Sequence, residues 1–579
     1  MSHDVMDRAS SRGVAEPRGG VVEDLYVSTA QAASLRRDLG SMPSIVLDHR
    51  HLCDLELLLN GGFSPLQGFM TEADYHAVVE HMRLADGTLW PMPIDLDVSE
   101  AEAAHLLVGQ EVVLRDGQGT ALAILSLSDV FRPDKRREAE RVFGTRDAGH
   151  PGVNDVFARG PVYLGGRVRG LQAPAHHDFT DLRLDPRTLR TGFAQCGWDR
   201  IVAFQTRNPM HRAHVELTRR AMDAVGGCLL VHPVVGRTKE GDIDAHTRVR
   251  CYRALMSRYP EGMAALAVLP LAMRMAGPRE ALWHALIRKN YGVTHFIVGR
   301  DHAGPGKDAS GRPFYDPLAA QRLLMDHADE LGIGILPFPP MVYSPTRDAY
   351  VATDALRAGE VTEDVSGTQL REHLRQGTPL PPWFTYPEVD TILRERFPQP
   401  SSRGCAVFFT GLSGAGKSTI AQALMGYLLE HTGRRVSLLD GDEVRKTLSA
   451  GLGFSRSDRA ANVLRIAYVA AEVVRHGGIA ICAPIAPYAE DRAKARETVE
   501  AQGDFIEVHV STSLDVCEAR DTKGLYAQAR AGVLKQFTGI SDPYEIPERP
   551  DLTLDGDTAS PAELASRIVA EMTRRGLVV

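Results

Sequence analysis

Gln205-Thr-Arg-Asn-Pro-Met-His-Arg-Ala-His214 lies between two segments of opposite character. Before it, Ile201-Val-Ala-Phe204 is an apolar run with the length of a buried strand. After it, Val215-Glu-Leu-Thr-Arg-Arg-Ala-Met222 has a helical composition. Asn208 suits a helix N-cap and Pro209 the first helical position, so the spacing predicts a helix opening there. His211 and His214 are three apart and share one face of its first turn. Two imidazoles, Arg207 and several free backbone N–H groups then meet at one strand-to-helix junction, which is a ready phosphate site. Attack at a nucleotide phosphorus builds charge on its oxygens, and each donor aimed there is worth roughly 2.7–4 kcal/mol. The histidine pair has no nearby third ligand of zinc-site type.

A second strand candidate, Thr294-His-Phe-Ile-Val298, opens into Gly299-Arg-Asp-His-Ala-Gly-Pro-Gly306. Ligands of a parallel α/β sheet sit at the carboxyl ends of its strands, so this loop belongs beside residues 205–214. Its small residues let backbone approach a ligand, and Arg300 can fork onto an oxyanion. The ten-residue string resembles the ATP sulfurylase (sulfate adenylyltransferase) motif Gln-x-Arg-Asn-Pro-x-His-x-x-His, and 299–306 resembles that family's glycine-rich loop. The resemblance implies that Gln205, Thr206, Arg207, Asn208, Gly299, Arg300, Asp301, His302, Ala303, Met341 and Val342 contact ATP or sulfate. It implies that Thr206, Arg207 and Asn208 orient phosphates and sulfate, and that His211 and His214 stabilise the transition state. Met341-Val-Tyr343 resembles the segment bordering adenine, although Met341 and Val342 read nearly as well as core strand.

A further nucleotide signal lies downstream. Cys405-Ala-Val-Phe-Phe-Thr410 reads as a buried strand, Gly411 to Ser418 matches G-x-x-x-x-G-K-[ST], and Thr419 to Leu429 reads as an amphipathic helix. In this context Gly411, Leu412, Ser413, Gly414, Ala415, Gly416, Lys417, Ser418 and Thr419 are expected to bind ATP. Lys417 would reach the β/γ-phosphates and Ser418 would hold Mg²⁺. Downstream stand the strand candidate Arg435-Val-Ser-Leu-Leu439, Asp440-Gly-Asp442, Leu452-Gly-Phe-Ser455, Arg459, Asn462, Glu518 to Tyr526 and Phe537 to Glu545. In order and spacing these resemble adenylylsulfate (APS) kinase over residues 401–579. By that resemblance Asp440, Asp442, Arg445, Arg459 and Asn462 contact adenylylsulfate, Phe454 and Phe537 sandwich its adenine, and Lys523 sits in a lid. Asp442 would orient the 3′-hydroxyl or the metal.

The chain departs from that family at three places. Ala486 stands at the serine that the family carries as a phosphoserine intermediate, Ala489 at a following arginine, and Glu443 where Asn is usual. Alanine has no oxygen to phosphorylate.

At 579 residues, 44% hydrophobic and 24% charged, the chain predicts three to four soluble domains. A net charge of −8 gives no field for nucleic acid or anionic membrane. Seven scattered cysteines make neither a disulfide framework nor a zinc spacing and fit a reducing cytoplasm. The expected architecture is multi-domain α/β. A disordered tail (1–24) precedes a PUA-like, strand-rich barrel (25–179) and a Rossmann-like nucleotidylyltransferase domain (180–337). A small domain and linker (338–400), punctuated by Pro379 to Trp383 and Phe397 to Gly404, lead to a P-loop kinase with a parallel sheet (401–579). The expected function is bifunctional: ATP and sulfate to adenylylsulfate and pyrophosphate, then 3′-phosphorylation of adenylylsulfate with Mg²⁺-ATP, in a homo-oligomer. The alternatives are a kinase-like region that senses nucleotide without catalysis, and a sulfurylase running in the ATP-forming direction.

Overall fold

The computed structural model describes residues 13–578 apart from 177, 240, 241, 397–402, 433, 522 and 523. Lys523 therefore lies outside the described residues. The chain forms two compact units, one of Met1–Ser366 with Leu380–Leu393, the other of Gly367–Pro379 with Arg394–Val579. Among the described residues no helix is long and apolar enough to cross a membrane.

The first unit begins with a six-stranded sheet. Its strands are β1 (Ser44–Val46), β2 (Gly68–Phe69), β3 (Leu96–Val98), β4 (Glu111–Arg115), β5 (Ala121–Phe131) and β6 (Val162–Gly170). Their order is β1-β4-β5-β6-β2, with β3 also on β6. Register shifts in β4–β5 and β5–β6 bend the sheet around its core. At Gly166 (φ 155°) a Cβ would lie 2.1 Å from the Ser126 carbonyl oxygen, so only glycine lets β5 and β6 close there.

A parallel sheet follows, of β7 (Ile201–Phe204), β8 (Cys228–Val231), β9 (Ala264–Leu266), β10 (His295–Val298) and β11 (Gly334–Pro337), in the order β11-β10-β7-β8-β9. The chain winds outward from β7 through β8 and β9, then returns to place β10 on the other side of β7. That reversal makes the β7/β10 boundary the switch point, where loops diverge and leave a crevice. The returning helix, Pro278–Asn290, is buried almost all round, including Glu280, His284 and Arg288. Its Trp283 meets Phe63 at 5.2 Å, and Phe63 meets Trp90 edge-on at 5.8 Å, so one core runs beneath both sheets of this unit. A hairpin of β12 (Met341–Ser344) and β13 (Ala349–Ala352) follows.

The second unit holds a parallel sheet of β14 (Cys405–Thr410), β15 (Val436–Asp440), β16 (Ile479–Ala483), β17 (Asp504–Val510) and β18 (Leu552–Leu554), ordered β15-β16-β14-β17-β18. Every residue of β14 and β16 is buried, as expected of central parallel strands covered on both faces.

Two sequence expectations are corrected. The helix after β7 starts at Arg212 with His211 as N-cap, not at Asn208 and Pro209. The Asn208 carbonyl accepts from the hydroxyls of Thr206 (3.1 Å) and Tyr252 (2.7 Å), so it is engaged elsewhere than in the first helical bond. Residues 379–383 are also not a free linker throughout: Leu380 is buried, as are Phe384, Thr385 and Tyr386 just beyond, and Leu380–Leu393 belongs to the first unit.

Candidate active sites

In the first unit, the loops after β7, β8, β9 and β10 meet at one side chain. Arg207 donates to Asp242 Oδ2 (3.2 Å, after β8), contacts Met275 Sδ (3.5 Å, after β9) and donates to the Gly304 carbonyl (3.1 Å, after β10). Lys239 reinforces the same junction by donating to the Pro305 carbonyl at 2.7 Å. The glycine-rich loop predicted from sequence therefore lies beside residues 205–214, because β10 pairs directly with β7. Within it Asp301 and Ala303 both have φ of 55°, and Met275 opposite has φ of 60°. Three non-glycine residues in the left-handed region around one crevice mark stored backbone strain of the kind found at functional sites.

The histidines sit at the helix N-terminus. The His211 N–H donates to Nδ1 of His214 (3.1 Å), which leaves the ring proton of neutral His214 on Nε2, as a donor. His211 is buried, hydrogen-bonds through Nδ1 to Thr385 Oγ1 (2.9 Å) and packs on Phe384 at 4.3 Å. Burial, with His214 adjacent, pushes His211 down to about 3, and burial pushes His214 down to about 4. Both rings are neutral at pH 7, so they act as hydrogen-bond partners and not as cations. Arg212 extends the same contact with a cation–π approach of 4.2 Å to Tyr386.

Gln205 is half-buried and approaches Met273 Sδ at 4.0 Å, Thr206 is buried, and the Asn208 side chain is exposed. In the glycine-rich loop Gly299 is half-buried, Arg300 and Asp301 are exposed, and His302 and Ala303 are buried. Although Asp301 is exposed at its outer edge, partial desolvation by the surrounding loops raises its carboxyl against the pull of Arg207, Arg300 and Lys239. Met341 is buried and Val342 half-buried in β12, which packs against the helix Arg212–Val225. Sequence reasoning missed Lys239, Asp242, Met275, Phe384 and Thr385. The polar run that holds Lys239 and Asp242 follows β8, where the carboxyl-end rule points. Nothing local marks Thr385.

Three acidic or imidazole groups, His51, Asp95 and Asp97, lie close enough together to hold a metal. Arg50 already pairs with Asp95 (3.1 Å) and with Asp97, which makes this a buried ion cluster.

In the second unit, β14 runs into the P-loop and then the helix Lys417–His431. Gly411, Gly414 and Gly416 all have positive φ, which turns the loop's N–H groups inward. A cavity of about 1000 Å³ is lined by Ser413, Gly414, Gly416, Lys417, Ser418, Thr419, Asp440, Asp442, Arg445, Phe454, Arg459, Asn462 and Phe537. Gly411, Leu412 and Ala415 form the loop without lining it. Lys417 donates to the carbonyls of Gly411 (2.9 Å) and Leu412 (2.7 Å), and Ser418 Oγ donates to Asp440 Oδ2 (2.6 Å). Asp440 ends β15 and caps the next helix by accepting the Asp442 N–H at 3.0 Å.

Phe454 is 57% exposed on one wall, with Arg445 4.6 Å from its ring, so it offers a bare face for stacking. Phe537 packs edge-on against Tyr526 at 5.0 Å. Arg459 is buried and donates to Thr538 Oγ1 (2.8 Å) and to the carbonyls of Phe454 and Gln536, which ties the Phe454 and Phe537 segments together. Among the described residues the buried Asn462 Oδ1 has no hydrogen-bond partner. Ala486 is buried with φ of 44°, and its carbonyl accepts from Thr410 (3.0 Å) and Arg492 (2.9 Å). Thr538 and Arg492 were not singled out from sequence.

Three family models match the chain: a PUA-like domain over residues 15–173, ATP-sulfurylase over 180–396, and adenylylsulphate kinase over 403–555. A sulfate adenylyltransferase of Gibberella zeae is 51% identical over 567 residues, covering 97% of this chain and 99% of the relative. The chain belongs to the sulfate adenylyltransferase family. A Neurospora crassa sulfate adenylyltransferase is 50% identical over the same shares. A solved structure described as a hexameric APS kinase from Thiobacillus denitrificans superposes with a TM-score of 0.78 at 34% identity, covering 98% of this chain and 99% of that one. The chain is thus an enzyme that carries an ATP-sulfurylase domain on the β7–β11 sheet and an adenylylsulphate kinase domain on the β14–β18 sheet.

Proposed function

We propose that the two domains activate sulfate in sequence. In the sulfurylase domain a sulfate oxygen attacks the α-phosphorus of ATP. The new P–O–S bridge forms as the bond from that phosphorus to the β-phosphate's bridging oxygen breaks, and pyrophosphate leaves. In the kinase domain the 3′-hydroxyl of the adenylylsulfate attacks the γ-phosphorus of a second ATP, giving 3′-phosphoadenylyl sulfate and ADP. The observation that carries the reading is the presence in one chain of two strand-to-helix phosphate junctions, each with its own donors.

At the first junction Thr206, Arg207 and Asn208 orient the phosphates and sulfate. His214, neutral with its proton on Nε2, donates to a phosphate oxygen, and the His211 backbone N–H fixes its ring through Nδ1. Exposed Arg300, with Ala303 beside it, faces sulfate, and Gln205, Gly299, Asp301, His302, Met341 and Val342 complete the ATP contacts. The sulfate anhydride is a high-energy product, so the kinase step draws the first equilibrium forward by consuming it.

At the second junction residues 411–419 cradle ATP, with Lys417 leaving its loop carbonyls for the β/γ-phosphates. Phe454 and Phe537 take the adenine of adenylylsulfate. Arg445, Arg459 and Asn462 take its polar groups, and Lys523 is assigned to the same substrate. Ser418 and Asp440 present oxygen atoms 2.6 Å apart, and Asp442 lines the same cavity, a donor set that suits a hard cation such as Mg²⁺. When bound, Mg²⁺ would neutralise charge across the β- and γ-phosphates. Asp442 aligns the 3′-hydroxyl and receives its proton. A homo-oligomer and a cytoplasmic setting belong to the same reading, supported by the description of the Thiobacillus relative and by seven free cysteines. Ala486 is the one residue that favours a nucleotide-sensing second domain without catalysis. The Lys417, Ser418, Asp440 and Asp442 set in one cavity supports phosphoryl transfer instead.

The test takes the halves separately. Sulfate-dependent release of pyrophosphate from ATP is expected of the first, and adenylylsulfate-dependent release of ADP of the second. Absence of either from folded, full-length protein overturns the corresponding half.

A further inference from the structure

The helix Pro278–Asn290 connects β9 to β10 and is buried on nearly every side. A helix so placed is normally apolar all round. This one carries Glu280, His284 and Arg288 at i, i+4 and i+8, a single stripe, and none has measurable exposure. Burying polar groups at that depth is costly unless each is matched.

Their partners are the loops of the sulfurylase crevice. The Glu280 carboxylate accepts the backbone N–H of Arg274 (2.9 Å) and of Ala276 (2.8 Å), bracketing Met275 in its left-handed conformation. His284 Nδ1 lies 3.1 Å from Nε2 of His302, which sits between the left-handed Asp301 and Ala303. Arg288 donates to the His232 carbonyl (2.9 Å), at the residue where the chain leaves β8. One helix face thus reaches the loops after β8, β9 and β10. Those same three loops converge in front on Arg207, through Asp242, Met275 and Gly304.

We propose that Glu280, His284 and Arg288 are positioning residues for the sulfurylase reaction, a buried polar spine that fixes the three loops whose other ends grip Arg207. The inference rests on the sulfurylase reading above. The hydrogen-bond order along the stripe is set from the carboxylate outward. Among the described residues His284 Nε2 has no hydrogen-bond partner, and the nearest charge is Glu280 Oε1 at 3.4 Å, so its proton sits on Nε2, facing the carboxylate. Nδ1 of His284 then offers a lone pair, and His302 must donate Nε2–H to it. His302 is thereby held in one tautomer and one orientation, and with it the peptide geometry of residues 301–303. A loop displaced by about 1 Å costs on the order of 10²-fold in rate when it carries groups aimed at the transition state.

The experiment measures sulfate-dependent pyrophosphate release by full-length wild type, His284→Phe, His284→Asn and Glu280→Gln, with circular dichroism and melting on each. Phe keeps ring volume and removes the acceptor. Asn places an amide oxygen near the old Nδ1 position and accepts from His302. The Glu280→Gln change turns an NH₂ toward one of the two backbone N–H groups from which the carboxylate accepts. His284→Phe is expected to lose on the order of 10²-fold in kcat with the KM for ATP little changed. His284→Asn is expected to recover to within about fivefold of wild type, the size of one imperfect hydrogen bond. Glu280→Gln is expected to lose about tenfold in kcat, also at near-constant KM. Folded His284→Phe with wild-type kcat overturns the proposal, as does an equal loss in Phe and Asn, or a loss confined to KM. If His284→Phe does not fold, Glu280→Gln decides by the same criteria. A wild type without sulfate-dependent turnover overturns the sulfurylase reading, which is a separate outcome.

Discussion

Acidification separates the two units. In the first, His150, His211, His214, His232, His284, His295 and His302 are all depressed by burial, His150, His214 and His295 to about 4 and His211 to about 3. In the second, His509 is depressed. A histidine depressed in the folded state binds its proton more readily when unfolded, so its contribution is intact above about pH 6.5 and is lost as pH falls toward the folded value. Between pH 7 and 5.5 each of the four groups held at about 3–4 costs about 1.2 kcal/mol, about 5 kcal/mol together, and the other three act in the same sense. Asp54 and Glu138, raised by burial, act in the opposite sense, as does His51, which Asp48 and Asp97 raise against burial and Arg50. Several kcal/mol of loss remain, a large share of the roughly 5–15 kcal/mol that holds a domain folded. The readout is built into the sequence. All four tryptophans, Trp90, Trp198, Trp283 and Trp383, lie in the first unit, so tryptophan emission reports that unit alone. Emission at rising temperature, from pH 7 to 5.5, is expected to show a melting point falling by several degrees, on the order of 1 °C per kcal/mol for a unit of this size. Adenylylsulfate-dependent ADP release, which reports the second unit, is expected to survive acid preincubation at temperatures that unfold the first. A tryptophan melting point unchanged to pH 5.5, or loss of both signals together, refutes the reasoning.

Three further outcomes are expected. Lys417→Ala abolishes adenylylsulfate-dependent ADP release and leaves pyrophosphate release largely intact, measured on the same preparation; loss of both from folded protein contradicts independent sites. His214→Ala lowers sulfurylase kcat by roughly 10²–10³, the cost of one transition-state donor, with the kinase rate unchanged. Because Ala486 carries no oxygen, phosphoryl transfer goes directly from ATP to the 3′-hydroxyl, so a chiral γ-phosphoryl group emerges inverted; net retention points to a covalent intermediate.

What could be read in the sequence follows how far each contact reaches along the chain. The strands Ile201–Phe204 and Cys405–Thr410 are short apolar runs ended by a loop, and the structure has the same bounds. The neighbourhood of the 205–214 and 299–306 loops followed from one topological rule, that parallel strands deliver their loops to one edge. The helix start did not follow, because Tyr252, 44 residues away, takes the Asn208 carbonyl, and local cap preference cannot register that. Thr385 lies 174 residues from the His211 that it contacts, inside a proline-rich stretch that reads as a boundary. The stripe Glu280, His284, Arg288 has ordinary helical spacing, and in sequence it resembles a solvated face. Only burial of the whole helix, imposed by Phe63 and by the sheet, turns it inward.

The central claim is that one chain carries sulfate to 3′-phosphoadenylyl sulfate. The direct measurement incubates purified full-length protein with ATP, Mg²⁺, ³⁵S-sulfate and pyrophosphatase and identifies the labelled nucleotides by chromatography. The account predicts 3′-phosphoadenylyl sulfate as the accumulating product, with adenylylsulfate only transient. Adenylylsulfate as the sole labelled product, even with fresh ATP in excess, would contradict it.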